Sequence, residues 1–152
     1  MAKRVEMVPR SFEVTQRHAA SVTVKVLGEV KVENHVRVLN ADFTGALCDA
    51  IGKSQVFAHV AETTADGYSL EVTVVGYGPP RAGFNMTASL TTNWKLMRLP
   101  NNEVVFEDFI KKQHTCTVGD AFAGATRWRK TNEGVVRDII SEGIQRLSQL
   151  KL

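Results

Sequence analysis

The sequence lacks long hydrophobic runs, has only two cysteines and carries little net charge. Its start, MAKRVEMVPRSFEV, has basic residues but no apolar run after them, so it predicts neither a secretory signal nor a membrane span. The net charge is +3, and Lys and Arg are spread along the chain apart from Arg127, Arg129 and Lys130, so charge alone scarcely indicates nucleic-acid binding. Cys48 and Cys116 fit either one disulfide in an exported domain or free thiols in a reducing compartment.

The composition is that of an ordinary globular protein. Hydrophobic residues make up 43% and charged residues 23%, values that argue against a disordered, collagen-like or coiled-coil chain. A chain of 152 residues fits one domain with a sizeable core. Residues 1–20 are polar and lack a sustained period. We therefore predict a flexible N-terminal arm over residues 1–20 and a single domain over residues 21–152.

Residues 84–99, FNMTASLTTNWKLMRL, alternate between apolar and polar side chains. This alternation predicts a long strand with one apolar face and one polar face. Only an antiparallel sheet that is covered on one side makes much use of such a strand. Thr92 is the polar exception on the apolar face, which otherwise consists of Phe84, Met86, Ala88, Leu90, Trp94 and Leu96.

Four further strands are predicted by alternation and by turn residues. They lie near residues 21–28, 56–62, 68–77 and 103–118, and we expect the second and third to form a hairpin around a turn at Gly67. Pro79 and Pro80 should lie outside the sheet, because proline cannot donate a ladder hydrogen bond. Adjacent Val104 and Val105 interrupt the alternation of the last strand and suggest a bulge.

Two helices are predicted, and they complete the architecture. Asn40 can cap a helix over residues 41–53, and a long amphipathic helix spans about residues 121–150. Gly134 and Gly143 within it suggest close approach to the sheet. The order β-α-β-β-β-β-α predicts an α+β two-layer sandwich, in which two helices cover one face of a mostly antiparallel sheet of four or five strands. The apolar stripe of the long helix is Ala125, Trp128, Val135, Val136, Ile139, Ile140, Ile144, Leu147 and Leu150.

No catalytic, metal-binding or cofactor-binding residue is predicted. His114 and Cys116 share one strand face and can reach a metal only with Cys48 or His59, but structural zinc sites show paired ligands at short spacings and no second such pair occurs. A Cys–His nucleophile needs an orienting third group, and nothing in the sequence places the three together.

Two segments are candidates for an interaction surface. ATRWRK places Arg127, Trp128 and Arg129 within about one helical turn, where they can serve an anionic partner, although we favour a core position for Trp128 with the charges in water. The proline loop is the second candidate, because loops at sheet ends often carry recognition; anchoring of the loop is the equally open alternative. Its residues are Tyr77, Pro79, Pro80, Arg81 and Phe84.

Four stretches together resemble uncharacterised bacterial outer-membrane lipoproteins: NADFTGALCDAIGKSQVF, ADGYSLEVTVV, TTNWKLMRLPNNEVVFED and NEGVVRDIISEGIQRL. The matching positions are Ser54 and Phe57, residues 66–72, residues 94–105 and residues 133–140. The chain is more loosely similar to the small periplasmic domains of the curli-secretion, polysaccharide-export and lipopolysaccharide-assembly lipoproteins.

The resemblance implies a non-enzymatic periplasmic domain that binds an envelope protein or polymer or assembles with it. It also implies attachment to the outer membrane through a lipid anchor that is absent from this chain. Self-association through an exposed edge strand, giving a homo-oligomer, is a separate expectation. The contact would be made through the polar sheet face, an exposed edge or the proline loop. A cytosolic nucleic-acid-binding domain that uses residues 127–130 is the alternative, and a small enzyme with a pocket between sheet and helices has the least support.

Overall fold

The computed structural model describes residues 1–81, 83–121 and 123–152, which form one large sheet, one small sheet and two α-helices. The chain opens with a short 3-10 helix, Arg4–Met7. The strands are β1 His18–Leu27, β2 Val30–Val32, β3 His35–Val38, β4 Phe57–Val60, β5 Gly67–Gly78, β6 Met86–Leu99 and β7 Glu103–Cys116. The helices are α1 Asn40–Ser54 and α2 Gly124–Ser148.

The large sheet has five strands in the order β4-β1-β5-β6-β7. β1 is parallel to both of its neighbours, β4 and β5, whereas the longer strands β5, β6 and β7 form an antiparallel meander. β2 and β3 pair separately as a small antiparallel sheet. The predicted α+β architecture and element order are therefore confirmed.

The predicted hairpin between β4 and β5 is wrong, because β1 lies between them. Val22 of β1 is level with Val60 at the end of β4 and with Tyr68 at the start of β5. Residues 61–66 thus carry the chain across β1 without reversing it. Gly67 has the expected positive φ, 91°, and lies so close to the backbone of Ser21 that no side chain would fit.

Helix α1 has the predicted apolar stripe but not the predicted cap. Phe43, Ala46, Leu47, Ala50 and Ile51 are all fully buried. Asn40 is the first residue of the helix and follows Leu39, which makes no side-chain capping hydrogen bond. The Asn40 side-chain oxygen is buried without a hydrogen-bond partner. The helix is therefore held by packing of its stripe and not by a side-chain cap.

Helix α2 covers the sheet from its third turn onward. The side chains fully buried against the sheet are Val135, Val136, Ile139, Ile140, Ile144 and Leu147. Ala125 is exposed and Trp128 is half-buried, so the prediction that they begin the core stripe is wrong. The first turns lie beside β3 and the chain start, as the packing of Arg37 on the Trp128 ring shows, and Gly124 lies next to Met86 at the start of β6.

The predicted apolar face of β6 is buried, including its polar member. Thr92 is fully buried because its hydroxyl accepts a hydrogen bond from Trp94 Nε1 at 2.9 Å and donates one to the Ile110 carbonyl at 3.2 Å. Phe84 is the exception: it precedes β6 and is 83% exposed. The predicted bulge in β7 is confirmed, since Leu96 pairs with Phe106 and Met97 with Val104.

The N-terminal segment lies against the helices. Met7 is fully buried, and the Lys3 backbone N–H donates to Glu133 Oε2 at 2.7 Å. The Thr15 backbone N–H donates to the Ser148 hydroxyl at 3.1 Å. β1 begins at His18, inside the segment predicted to be an arm. The flexibility of residues 1–17 stays a prediction.

In the described part of the chain, neither helix combines the length and the apolar character that crossing a membrane requires. Two glycines bring α2 close to the sheet. A side-chain carbon added at Gly143 would overlap the indole ring of Trp94, and one added at Gly134 would overlap the imidazole of His114. Close approach is therefore the reason for both glycines.

We expect Gly143→Ala to lower the free energy of unfolding by about 1–3 kcal/mol, because the added methyl group overpacks the contact with the fully buried Trp94. Chemical denaturation measures the change. Gly52→Ala in α1 is the matched control, since nothing lies within 4 Å of the added carbon. The control should gain up to about 1 kcal/mol from helix propensity. Equal stability of the two variants would contradict the packing constraint.

Candidate functional site

The two predicted interaction segments meet at one end of the molecule. The Tyr77 hydroxyl at the end of β5 donates to Asn132 Oδ1 of α2 at 2.6 Å. Arg127 Nη2 donates to the Gly83 carbonyl in the proline loop at 3.0 Å. The structure thus joins the proline loop to the start of α2, although the sequence analysis treated these two segments as separate candidates.

The proline loop is partly anchored and partly exposed. Tyr77 is half-buried and Pro80 is buried, whereas Pro79, Arg81 and Phe84 are exposed. Both prolines lie between the end of β5 and the start of β6, outside the ladder as predicted. The loop therefore combines anchoring residues with a small exposed surface.

Two of the three basic residues at the start of α2, Arg127 and Lys130, bind the backbone of their own chain. Arg127 Nη1 donates to the Ala121 carbonyl at 3.1 Å, in addition to its bond to the loop. Lys130 Nζ donates to the Asp120 carbonyl at 3.4 Å. Arg129 Nε lies 3.8 Å from Glu133 Oε1. The bonds of Arg127 and Lys130 fasten the segment before α2 and occupy donors that a polyanion would need, whereas Arg129 makes only the long contact with Glu133.

A cleft of about 560 Å³, which we call the Trp128 cleft, opens beside these residues. The Arg37 guanidinium lies over the Trp128 ring, 5.0 Å from its centroid. Sequence reasoning missed Arg37 and Asn132, although a polar residue four positions after Trp128 on a mostly apolar helix face was a usable signal. The cleft is lined by Met1, Ala2, Asn34, His35, Val36, Arg37, Ala125, Trp128, Arg129 and Asn132.

Tyr77, which is bonded to the cleft residue Asn132, remains neutral over the physiological pH range. Burial raises the pKa of its phenol to about 12, and the nearby Arg37 charge and the hydrogen bond to Asn132 oppose the rise only in part. The hydroxyl is therefore a permanent donor, which orients the Asn132 side chain.

The His and Cys residues considered for chemistry do not converge. His114 Nδ1 is 2.8 Å from Asp138 Oδ2, and Cys116 on the same strand face is a buried free thiol. His59 is on β4, at the opposite edge of the sheet from β7. Cys48, also a free thiol, is in α1, where burial raises its pKa. The described residues contain no group of three side chains suited to hold a metal ion.

The sheet face opposite the helices forms a second extended surface, the open face, where polar side chains stay exposed or half-buried. Lys25, Glu71, Lys95 and Glu107 stand side by side on four neighbouring strands, so their charges alternate across the sheet. The open face consists of Thr23, Lys25, Leu27, Ser69, Glu71, Thr73, Thr87, Ser89, Thr91, Asn93, Lys95, Met97, Glu107, Phe109, Lys111, Gln113 and Thr115.

No protein-family model and no curated protein matches the chain in sequence. Solved structures share its fold. A Xanthomonas campestris protein of the DUF330 family model matches with 16% identity and a TM-score of 0.60 over 90% of this chain and 91% of that one. A PelC dodecamer from Paraburkholderia phytofirmans matches with 12% identity and a TM-score of 0.57, over 93% and 95%. A minor lipoprotein from Acinetobacter baumannii matches with 11% identity and a TM-score of 0.56, over 87% and 92%.

The fold is therefore one that solved structures of bacterial lipoproteins share, as the resemblance in sequence predicted. The narrower likeness to curli-secretion, polysaccharide-export and lipopolysaccharide-assembly domains stays a prediction.

We expect Tyr77 to ionise near pH 12. Its pKa in the folded chain lies above the ordinary value of 10, so the stability contributed by the neutral phenol is complete below pH 10 and is lost as the pH rises toward 12. Absorbance titration with circular dichroism recorded in parallel checks this. Tyr77→Phe should remove the high-pH step and Tyr68→Phe should retain it; the reverse result would contradict the assignment.

Proposed function

We propose that this chain is a non-enzymatic binding or assembly domain of the bacterial cell envelope. The fold supports the proposal, because the chain shares it with a minor lipoprotein and with PelC, which forms a dodecamer. The open face supports it further, since a broad, ordered polar surface is suited to recognition. The alternating charge row on this face is the observation that carries the proposal.

We also propose a periplasmic location at the outer membrane, with the lipid anchor on a residue outside this chain. The likeness to lipoprotein folds is the support. Neither cysteine of the chain is suited to carry a lipid, since Cys116 is 4% exposed and Cys48 is part of helix α1.

A second copy of the chain is the partner that the open face fits best. Two copies can meet with their open faces in contact. A 180° rotation about an axis that lies between the two faces, parallel to the strands and midway between β5 and β6, then places the charge row of one copy in reverse order against that of the other. Lys25 then opposes Glu107 of the copy, and Glu71 opposes Lys95. The row is therefore complementary to itself.

The next row has the same property. Leu27, Thr73, Asn93 and Phe109 are in register across the four strands. In reverse order Leu27 opposes Phe109, which is 60% exposed in the single chain, and Thr73 opposes Asn93. Burial of the apolar pair contributes affinity, whereas the charge row selects the orientation.

The contacts of residues 127–130 argue against the nucleic-acid alternative, which needs a row of free cations on an open surface. Arg127 and Lys130 donate to backbone carbonyls of their own chain, and Arg129 lies beside Glu133. A surface that binds nucleic acid needs cations that are free to meet phosphates.

We expect the chain to dimerise reversibly and Lys95→Glu to weaken dimerisation at least about tenfold, because Glu would then face Glu71 of the copy. Sedimentation velocity over a range of concentrations measures this. Lys53→Glu, a charge reversal at an exposed residue in the last turn of α1, is the matched control and should leave the dimerisation equilibrium unchanged. The exchange Glu71→Lys with Lys95→Glu should restore part of the affinity.

If Lys95→Glu dimerises as tightly as the unchanged chain, we would conclude that the dimer contact lies on another surface, such as the β7 edge. A chain that stays monomeric at every concentration would overturn self-assembly. A photo-reactive residue at position 91, on the open face, would then test for another envelope protein, with position 52 on α1 as the control.

A further inference from the structure

The Trp128 cleft is lined by hydrogen-bond donors and by no acidic residue among the described residues. Arg37 and Arg129 contribute guanidinium groups, and Trp128 contributes its ring to the wall. The Nε atoms of both arginines and Nε1 of Trp128 are buried and make no hydrogen bond. Because these three atoms have almost no solvent exposure, a ligand in the cleft would meet the terminal N–H groups of the two guanidinium ions.

Arg37 is the least compensated cation in this group. It takes part in no ion pair among the described residues, and its charge rests on the face of the Trp128 ring. Stacking of this kind fixes the guanidinium plane while its outer N–H groups stay available. Glu133, the acid nearest Arg129, accepts the Lys3 backbone N–H and is 2% exposed, so it does not line the cleft.

Asn132 adds an oriented donor at the wall of the cleft. The side chain is 2% exposed, and its oxygen accepts the Tyr77 hydroxyl hydrogen at 2.6 Å. With the oxygen occupied, the amide N–H groups are the part of Asn132 that remains for a ligand. The nearby start of α2 adds the positive end of a helix dipole.

We propose that the Trp128 cleft binds a small anion with a carboxylate or phosphate group, held by Arg37, Arg129 and Asn132 against the wall formed by Trp128. The planar fork of two guanidinium groups matches both kinds of oxyanion. A cleft of about 770 Å³ elsewhere is lined by Arg10, Lys53 and Arg137 together with Glu6 and Asp138, so acidic side chains there oppose the binding of an anion. The proposal is independent of the open face and stands or falls separately from self-assembly.

The two tryptophans provide a reporter and an internal control for the test. Trp128 lines the cleft, whereas the Trp94 indole is fully buried and bonded to Thr92. The indole N–H signals of the ¹⁵N-labelled chain are followed by NMR during titration with sodium phosphate, with sodium acetate and with sodium chloride at constant ionic strength. We expect the Trp128 signal to shift along a saturating curve with phosphate or acetate, while the Trp94 signal stays in place.

Whichever of phosphate and acetate binds with the higher affinity identifies the group that the cleft prefers. Arg37→Gln and Arg129→Gln should each lower its affinity about tenfold or more. Arg98→Gln is the control. It removes an exposed arginine that pairs with Glu103 and does not line the cleft, so it should leave the affinity for the anion unchanged. An unshifted Trp94 signal in each variant verifies the fold, and Arg37→Lys retains the charge without the fork if Arg37→Gln does not fold.

A shift that is linear and equal for phosphate, acetate and chloride would overturn the site, because it would report general screening. Unchanged affinity in both Arg37→Gln and Arg129→Gln would overturn it as well.

Discussion

The contact between Trp94 and Gly143 determines how the two layers of the protein fit together. Trp94 is fully buried near the middle of the longest antiparallel strand pairing, and its indole N–H is satisfied by Thr92, which in turn binds the Ile110 carbonyl on the next strand. A large ring held in this way leaves no room for a side chain above it, so α2 presents glycine. The helix is thereby set at a fixed height over β6 and β7.

Coverage of one face leaves the other face free, and this asymmetry separates two kinds of surface. The open face has ordered rows of charge and polar groups because each strand places alternate side chains away from the helices. The Trp128 cleft arises where the first turns of α2 meet Arg37 of β3. An extended polar face suits a protein partner, whereas a small cleft lined by donors suits an anion.

Local patterns predicted both helices and the five strands of the large sheet, but not the small sheet of β2 and β3 and not every neighbour. The alternation around Trp94, the bulge near Val105 and the stripe of α1 were all readable from the sequence, because each depends on residues a few positions apart. The hairpin between β4 and β5 was not, since the turn at Gly67 has the same local signal whether the chain reverses or crosses over β1.

The sequence by itself determined the fold class, the glycines on the inner face of α2 and the split of each long strand into an apolar and a polar side. The reason is that periodicity records which side chains leave water together. Only the tertiary structure decided that β1 lies inside the sheet, that Trp128 meets Arg37 instead of the core, and that Tyr77 reaches Asn132. These contacts join residues tens of positions apart, and their geometry depends on the path of the whole chain.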